Sequence, residues 1–217
     1  MHLFIIAGHG AGDPGTCGNG YQEAERVRAL TMRIGELGGS SVTVADMSRN
    51  WYADNGISTL NIPKDYQIVE LHMDSGPEAA RGGHVIIKSG FSPDVYDNAL
   101  AAVLKEILPG RAELIVKRSD LANPKRAAAK GYPYRLLECG FITNTTDVNI
   151  FNSKMDDIAR GILGAFGINA LASEAKSAEV SKADKLYRVQ VGAFAVKTNA
   201  EKLQKELKAK GYSAIIV

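Results

Sequence analysis

The sequence predicts an α/β fold, with a three-layer αβα domain around a mostly parallel sheet and a small βαβ half-repeat after it. Two observations support this prediction. Short apolar runs typical of buried strands alternate with longer segments whose apolar residues recur at helical spacing. The length of 217 residues also suffices for one domain of about 150–200 residues and a smaller appendage. We therefore expect a main domain over 1–169, a linker rich in Ala, Ser, Lys and Glu over 170–185, and a small unit over 186–217.

The first elements along the chain are a strand, a glycine-rich loop and a helix. Residues 2–7 form an apolar run typical of a buried strand, and a loop rich in Gly and Pro follows over 8–20. Apolar residues at helical spacing predict a helix over 21–37, which a Gly-Gly pair ends. A further strand is predicted at 41–45.

The alternation of strands and helices continues to residue 166. Segment 48–65 is polar and shows no clear period. Beyond it we predict strands at 68–72, 84–88, 112–118 and 134–141, and helices at 94–108 and 155–166. The tail carries strand patterns at 186–194 and 212–217 and a helix pattern at 199–211.

Composition excludes several classes of protein. A net charge of +2 creates no field that would select nucleic acid as a partner. No stretch approaches the roughly 18 apolar residues of a membrane helix, so we expect no membrane insertion. The N-terminus lacks the basic region of a signal peptide, so we expect synthesis in the cytoplasm. Cys17 and Cys139 are too few for a disulfide framework and form no CxxC pair.

Four residues suited to metal chemistry lie far apart in the sequence: His9, Glu23, His72 and Glu138. The two histidines follow or end predicted strands, at the edge where open α/β sheets place their ligand sites. Two imidazoles and one carboxylate form a His₂Glu set, which catalytic zinc sites use while leaving a fourth position for water. The remaining carboxylate can act as the general base toward that water. Together the four residues predict a metallohydrolase, although each alone has an ordinary structural explanation.

Periodicity separates these candidates from their neighbours. On a helix, Glu23 and Glu25 differ by about 200°, so Glu23 faces the sheet and Glu25 faces solvent. On a strand, Cys139 points away from the face of Glu138, which disfavours a Cys–His nucleophile pair. Glu70 shares a strand face with the second histidine. A salt-bridged residue is the simpler interpretation of Glu70, and orientation of a metal ligand is the alternative.

Four segments resemble, in this order, the zinc-dependent N-acetylmuramoyl-L-alanine amidases of type 3, which occur as bacterial autolysins and phage endolysins: AGHGAGDPG, GNGYQE, ELHMDS and LLECGFITN. The resemblance covers about residues 1–169 and implies a three-layer α/β fold. It implies that His9, Glu23 and His72 bind Zn²⁺ and that Glu138 is the catalytic carboxylate. The implied reaction is cleavage of the bond between N-acetylmuramic acid and L-alanine in bacterial peptidoglycan. A zinc peptidase acting within the stem peptide and a non-catalytic wall-binding protein are the alternatives.

Further expectations concern a substrate contact, the tail and the route by which the protein reaches the wall. Arg118 resembles a family arginine near the cleft, which implies contact with the peptide stem. The tail over 186–217 resembles half of a SPOR-type peptidoglycan-binding repeat, through its VQVGAF strand and following helix. Because half a module buries little surface alone, either the chain is truncated or two chains complete each other as a homodimer. Without a signal peptide, we expect the protein to reach the wall after release, as an endolysin or through mother-cell lysis.

Overall fold

The computed structural model of the protein describes residues 1–10, 12–171 and 197–209. The chain divides into two compact units, Met1–Ala175 and Lys176–Val217. The larger unit contains all four residues singled out above for metal chemistry.

Most predictions for the tail fall on residues that are not described. The linker predicted at 170–185, beyond its first two residues, and the strands predicted at 186–194 and 212–217 lie outside the described residues. These boundaries and the homodimer therefore remain predictions. The helix predicted at 199–211 is confirmed as Lys197–Ala209.

Eight strands and seven α-helices make up the described part of the chain. The strands are β1 (Leu3–Ala7), β2 (Cys17–Gly18), β3 (Tyr21–Gln22), β4 (Val42–Val44), β5 (Gln67–Asp74), β6 (His84–Lys88), β7 (Ile115–Arg118) and β8 (Tyr134–Phe141). The helices are α1 (Glu23–Gly38), α2 (Gly56–Thr59), α3 (Val95–Ile107), α4 (Ala122–Lys130), α5 (Thr145–Ser153), α6 (Met155–Ala165) and α7 (Lys197–Ala209).

Six of these strands form one sheet in the order β4-β1-β5-β8-β6-β7. Neighbouring strands are parallel except β6 and β8, which pair antiparallel. The predicted mostly parallel sheet is therefore confirmed. β2 and β3 form a separate hairpin around Asn19-Gly20, where φ is 50° and 82°. Positive φ at both central residues is typical of the tight turn that matches the twist of a hairpin.

The sheet is buried on both faces, and strand alternation assigns its residues to two clusters. Leu3 and Ile5 of β1 pack in one cluster with residues of α1, α3, α5 and α6. Phe4 and Ile6 pack in the other with residues of α2 and α4. This arrangement confirms the three-layer αβα fold. Because β1 is covered on both faces, all five of its residues, LFIIA, are apolar.

Helices α4 and α5 lie outside the elements predicted from the sequence. α4 contains no large apolar residue, so its helical period is weak, and it packs through the small side chains of Pro124 and Ala127. α5 contains β-branched residues that lower helix propensity. Its start is fixed by Asn144, whose side chain accepts a hydrogen bond from the Asp147 N–H at 3.1 Å. Within the described ranges, no helix is long and apolar enough to cross a membrane.

Candidate metal centre and active site

The loop after β1 places His9 against the end of the neighbouring strand. The Gly8 N–H donates to the Leu71 carbonyl at 2.9 Å, and a Cβ at Gly8 would collide with the imidazole of His72. His9 itself has a φ of 60°, which is uncommon for a residue with a side chain. Gly15, also at positive φ, passes so close that a Cβ there would lie 2.7 Å from both Glu23 Oε2 and His9 Cδ2. The glycines of this loop therefore let three functional side chains converge.

Glu23 lies at the centre of this convergence, as the first residue of α1. Its Oε1 is 2.9 Å from His9 Nε2 and 2.9 Å from His72 Nδ1, and it also accepts the Met73 N–H at 3.2 Å. Its Oε2 accepts the Thr16 N–H at 3.0 Å. Burial by itself would raise the pKa of Glu23, but the hydrogen bonds with His72 and His9 outweigh it and hold that pKa well below its usual value.

The geometry of these three side chains fits a small divalent ion. His9, Glu23 and His72 each offer one ligand atom, and the three atoms lie within 4.8 Å of one another. Among the residues described, this is the one cluster of His, Cys, Asp and Glu with that geometry. Bonds of 2.0–2.1 Å in a tetrahedral zinc site imply about 3.3 Å between ligand atoms. The two 2.9 Å separations between Glu23 and the histidines need to open by only a few tenths of an ångström to reach that spacing.

Glu138 lies beside this cluster on the neighbouring strand β8. It is opposite His72 in the sheet register, and its Oε2 is buried without a hydrogen-bond partner. Beyond this pair the register shifts, because two residues of β8 lie opposite one residue of β5. The extra residue, Gly140, has a φ of 86°. Such a bulge ends regular pairing next to many active sites. Burial, with Asp74 and Glu23 adding to it, raises the pKa of Glu138 to about 8 even though His72 lowers it.

Cys139 lies on the opposite face of the same strand, as its position in the strand predicts. It packs in the apolar cluster with α1, α3 and α6, and its thiol is free. Burial raises the pKa of this thiol far above its usual value. A buried neutral thiol is inert, so the Cys–His nucleophile is excluded on geometry.

His84 and Arg111 also line this region, although sequence analysis assigned them no role. His84 lies opposite Glu138 across the antiparallel pair of β6 and β8, and it is 2% exposed. Its Nδ1 has no hydrogen-bond partner, and its Nε2 is 3.5 Å from Arg111 Nη2. Burial, then the charges of Arg111 and Arg118, lower the pKa of His84 to about 4. His84 lies opposite Glu138 because β6 pairs antiparallel with β8, and no pattern within either strand indicated this pairing.

Arg118 lies at the end of β7, outside direct contact with this cluster. Its guanidinium donates two hydrogen bonds to the Asp120 carboxylate, at 2.8 and 2.5 Å. The pKa of Arg118 is raised mainly by Asp120 and also by the charges of Asp74 and Glu138. Its charge therefore interacts with Glu138 without a direct contact, and its predicted contact with substrate remains a prediction.

A cavity of about 290 Å³ opens directly beside the two histidines. Its polar lining comes from both histidines and from Asp13, Asn50, Tyr52, Glu70 and Asn123. Its apolar lining comes from Leu121, Ala122, Pro124 and Leu136. Segment 48–65, which shows no period in the sequence, thus contributes to the wall of the site.

Comparisons with known proteins identify the family of this chain. The family model described as N-acetylmuramoyl-L-alanine amidase matches residues 3–167, and the SPOR domain model matches residues 159–217. A probable autolysin of Staphylococcus aureus is 34% identical over 183 residues, which cover 75% of this chain but 37% of that protein. This chain therefore spans little more than a third of that relative's length.

A sporulation-specific N-acetylmuramoyl-L-alanine amidase of Bacillus subtilis is 27% identical over 230 residues, covering 100% of this chain and 84% of that one. Among solved structures, the CwlD amidase of Clostridioides difficile, in complex with the GerS lipoprotein, has a TM-score of 0.62 at 18% identity. The match covers 77% of this chain and 97% of the CwlD chain. That likeness shows the shared fold. With a family match over residues 3–167, the chain belongs to the N-acetylmuramoyl-L-alanine amidases, the hydrolases that cut peptidoglycan between N-acetylmuramic acid and L-alanine.

Proposed function

We propose that this protein hydrolyses the amide bond between N-acetylmuramic acid and L-alanine of the stem peptide, using water activated at a zinc ion. The observation that carries the proposal is the convergence of His9, Glu23 and His72 beside Glu138, whose Oε2 is buried without a hydrogen-bond partner. Membership of the amidase family supports the identity of the bond that is cut.

His9, Glu23 and His72 would hold the ion through His9 Nε2, His72 Nδ1 and the Glu23 carboxylate, the atoms that already face one another. When bound, zinc supplies Lewis-acid polarisation of the scissile carbonyl and lowers the pKa of water. The low pKa of Glu23 supports its role as a ligand, because a carboxylate must be deprotonated to bind a metal.

Glu138 would act as the general base and then as the general acid. It takes a proton from the attacking water and returns that proton to the nitrogen of L-alanine as the amide bond breaks. A carboxylate without hydrogen-bond donors of its own is more basic, and the raised pKa of Glu138 is consistent with this role. A nearby cation lowers that pKa again toward neutrality, where proton transfer in both directions is efficient.

The setting of the reaction is also part of the proposal. The SPOR match supports attachment to peptidoglycan through the C-terminal unit, with completion of that unit by a second chain as one arrangement. We propose cytoplasmic synthesis followed by release to the wall. Relatives named as an autolysin and as a sporulation-specific amidase support action on the cell's own wall at lysis or sporulation.

Digestion of purified cell walls tests the reaction. We expect new amino termini of L-alanine to appear without new reducing ends, to be lost after chelation, and to return when Zn²⁺ is added. Glu138→Gln should slow release by about 10²–10⁴-fold, and Glu106→Gln on the exposed side of α3 is the control that should leave it unchanged. Release of reducing sugars would contradict the proposal. Cuts inside the stem peptide would identify a zinc peptidase instead.

A further inference from the structure

We infer that Glu70 is a positioning residue that holds His72 with its proton on Nε2 and its free lone pair on Nδ1, facing the metal site. His9 would use the opposite nitrogen, Nε2, so the two histidine ligands bind as different tautomers. The inference rests on the metal site of the proposed function and not on the reaction.

The first step is the pair of contacts that His72 makes. Its Nδ1 is 2.9 Å from Glu23 Oε1, and its Nε2 is 3.0 Å from Glu70 Oε1. A neutral imidazole has one N–H donor and one lone pair, and an ionised carboxylate can only accept. Once the lone pair on the Glu23 side is used for a metal, the single N–H must point to Glu70. The tautomer of His72 is thereby fixed by its neighbour on the same strand.

The second step is that Glu70 is itself held rigidly by two further elements. Asn123 of α4 donates from Nδ2 to both carboxylate oxygens, at 3.2 and 2.9 Å. Tyr134 of β8 donates its hydroxyl to Glu70 Oε2 at 2.7 Å. Asn123 is in turn held by Arg126, whose Nη1 donates to Asn123 Oδ1 at 2.8 Å. These bonds fix the plane of the carboxylate, so it can orient the ring of His72.

The third step is the energetic setting. Glu70 is 4% exposed, and of the described side chains its one direct ionic partner is His72. Burying a carboxylate among neutral donors is costly for folding, because its charge loses the solvation of water. An apolar residue would fill this strand position at lower cost. We therefore attribute the presence of Glu70 to its effect on His72.

His9 provides an internal comparison. Its Nδ1 is 3.0 Å from Asp13 Oδ2, which leaves Nε2 for the metal, and Asn50 donates to the same oxygen at 3.1 Å. The order histidine, carboxylate, asparagine is thus the same on both sides of the site. The Asp13 side chain is 43% exposed, however, whereas that of Glu70 is 5% exposed. Water can replace Asp13, so its removal should matter less than removal of Glu70.

The tautomers can be read directly by NMR. In the full chain loaded with Zn²⁺, long-range ¹H–¹⁵N correlation of the histidine rings distinguishes a metal on Nδ1 from a metal on Nε2. We expect His72 to bind through Nδ1 and His9 through Nε2, with each ring assigned through the backbone resonances of its own residue. Binding of both rings through the same nitrogen would overturn the inference.

Zinc affinity tests the role of Glu70 without any substrate. Competition with a chromogenic chelator should show affinity about 10–100-fold lower in Glu70→Gln than in the parent protein, as is typical for groups that orient metal ligands. Asp13→Asn should lose less. A purely structural role predicts a lower Tm of the metal-free protein with unchanged zinc affinity, and that result would also overturn the inference.

If Glu70→Gln does not fold, Tyr134→Phe is the second variant. It removes one hydrogen bond to Glu70 and little volume. We expect a loss of zinc affinity of about 2–5-fold, smaller than for the removal of a group in direct contact with the ligand. Unchanged affinity would count against the inference. Wall digestion is scored separately, so an inactive enzyme with the expected tautomers would contradict the proposed reaction alone.

Discussion

Glu23 and Glu138 are two glutamates of one site, and their environments drive their pKa values in opposite directions. Glu23 receives hydrogen bonds from two backbone N–H groups and lies between two histidines, which hold its pKa low. Glu138 has a buried oxygen with no partner, and burial raises its pKa to about 8. At Glu23 the hydrogen bonds with the two histidines outweigh burial, whereas at Glu138 burial dominates.

This contrast assigns different chemistry to the same residue type. A carboxylate that stays ionised is suited to hold a cation, whereas a carboxylate that exchanges its proton near neutral pH is suited to general acid–base catalysis. Pairs of titratable groups whose environments separate their pKa values often mark such a division of roles. The following experiments test it, from the largest expected effect to the smallest.

Removal of the Glu23 carboxylate should have the largest effect. In Glu23→Gln we expect loss of stoichiometric zinc binding and a fall of activity to background, because the central ligand is gone. Zinc content after dialysis and wall digestion measure the two effects. Glu25→Gln is the matched control on the exposed face of α1 and should behave as the parent. Retention of tight zinc binding by Glu23→Gln would contradict the assignment of Glu23 as a metal ligand.

Glu138→Gln should separate metal binding from catalysis. We expect kcat to fall by about 10²–10⁴-fold, the usual contribution of a general base, while zinc content stays unchanged. Single-turnover assays on walls, together with metal analysis of the same sample, measure both quantities. Parallel loss of zinc would show that Glu138 is also a ligand.

Stability of the metal-free protein should depend on pH in opposite senses through the two carboxylates. The pKa of Glu138 is raised from 4.5 to about 8 in the folded state, so its neutral form favours folding and this contribution is lost as pH rises through that window. Urea unfolding in the presence of a chelator measures this effect. Between pH 5 and pH 8, the free energy of unfolding of Glu138→Gln should rise relative to that of the parent by on the order of a few kcal/mol.

The sign reverses for Glu23. Its folded-state pKa is depressed, so its contribution to stability is present above the usual 4.5 and is lost as pH falls through the folded value. Glu23→Gln should thus be less stable than the parent near neutral pH, with a gap that closes in acid. The same trend with pH for both variants would contradict the division of roles.

Arg118→Ala should have the smallest effect. Its guanidinium is bonded to Asp120 and influences Glu138 only through charge, so we expect KM for wall fragments to rise by a few-fold with kcat nearly unchanged. Lys117→Ala, at the preceding and also exposed position, is the control. A change in kcat larger than tenfold would place Arg118 at the reacting atoms.

Local periodicity predicted much of the fold and the central residues of the site. Helix phase distinguished Glu23 from Glu25, and the structure buries the first and exposes the second. Strand phase separated Glu138 from Cys139, which lie on opposite faces of β8. These predictions succeed because the period of a single element decides which of its residues face inward.

The residues that support the site were harder to predict. Asn123 lies on α4, a helix whose small residues give no apolar period, and Asn50 lies in a segment with no period at all. His84 lies opposite Glu138 in the sheet because β6 runs antiparallel to β8. Each of these contacts joins residues 37 to 54 positions apart, so no pattern within one element indicates it.

The sequence by itself determined the α/β alternation, the four residues suited to metal chemistry and the sides of their elements on which they lie, because these follow from spacing within single elements. Only the tertiary structure decided which nitrogen of each histidine faces Glu23, and in which direction the pKa of each carboxylate is shifted. Those properties depend on distances of about 3 Å between side chains from different elements. Packing sets such distances, and they in turn set the chemistry of this amidase.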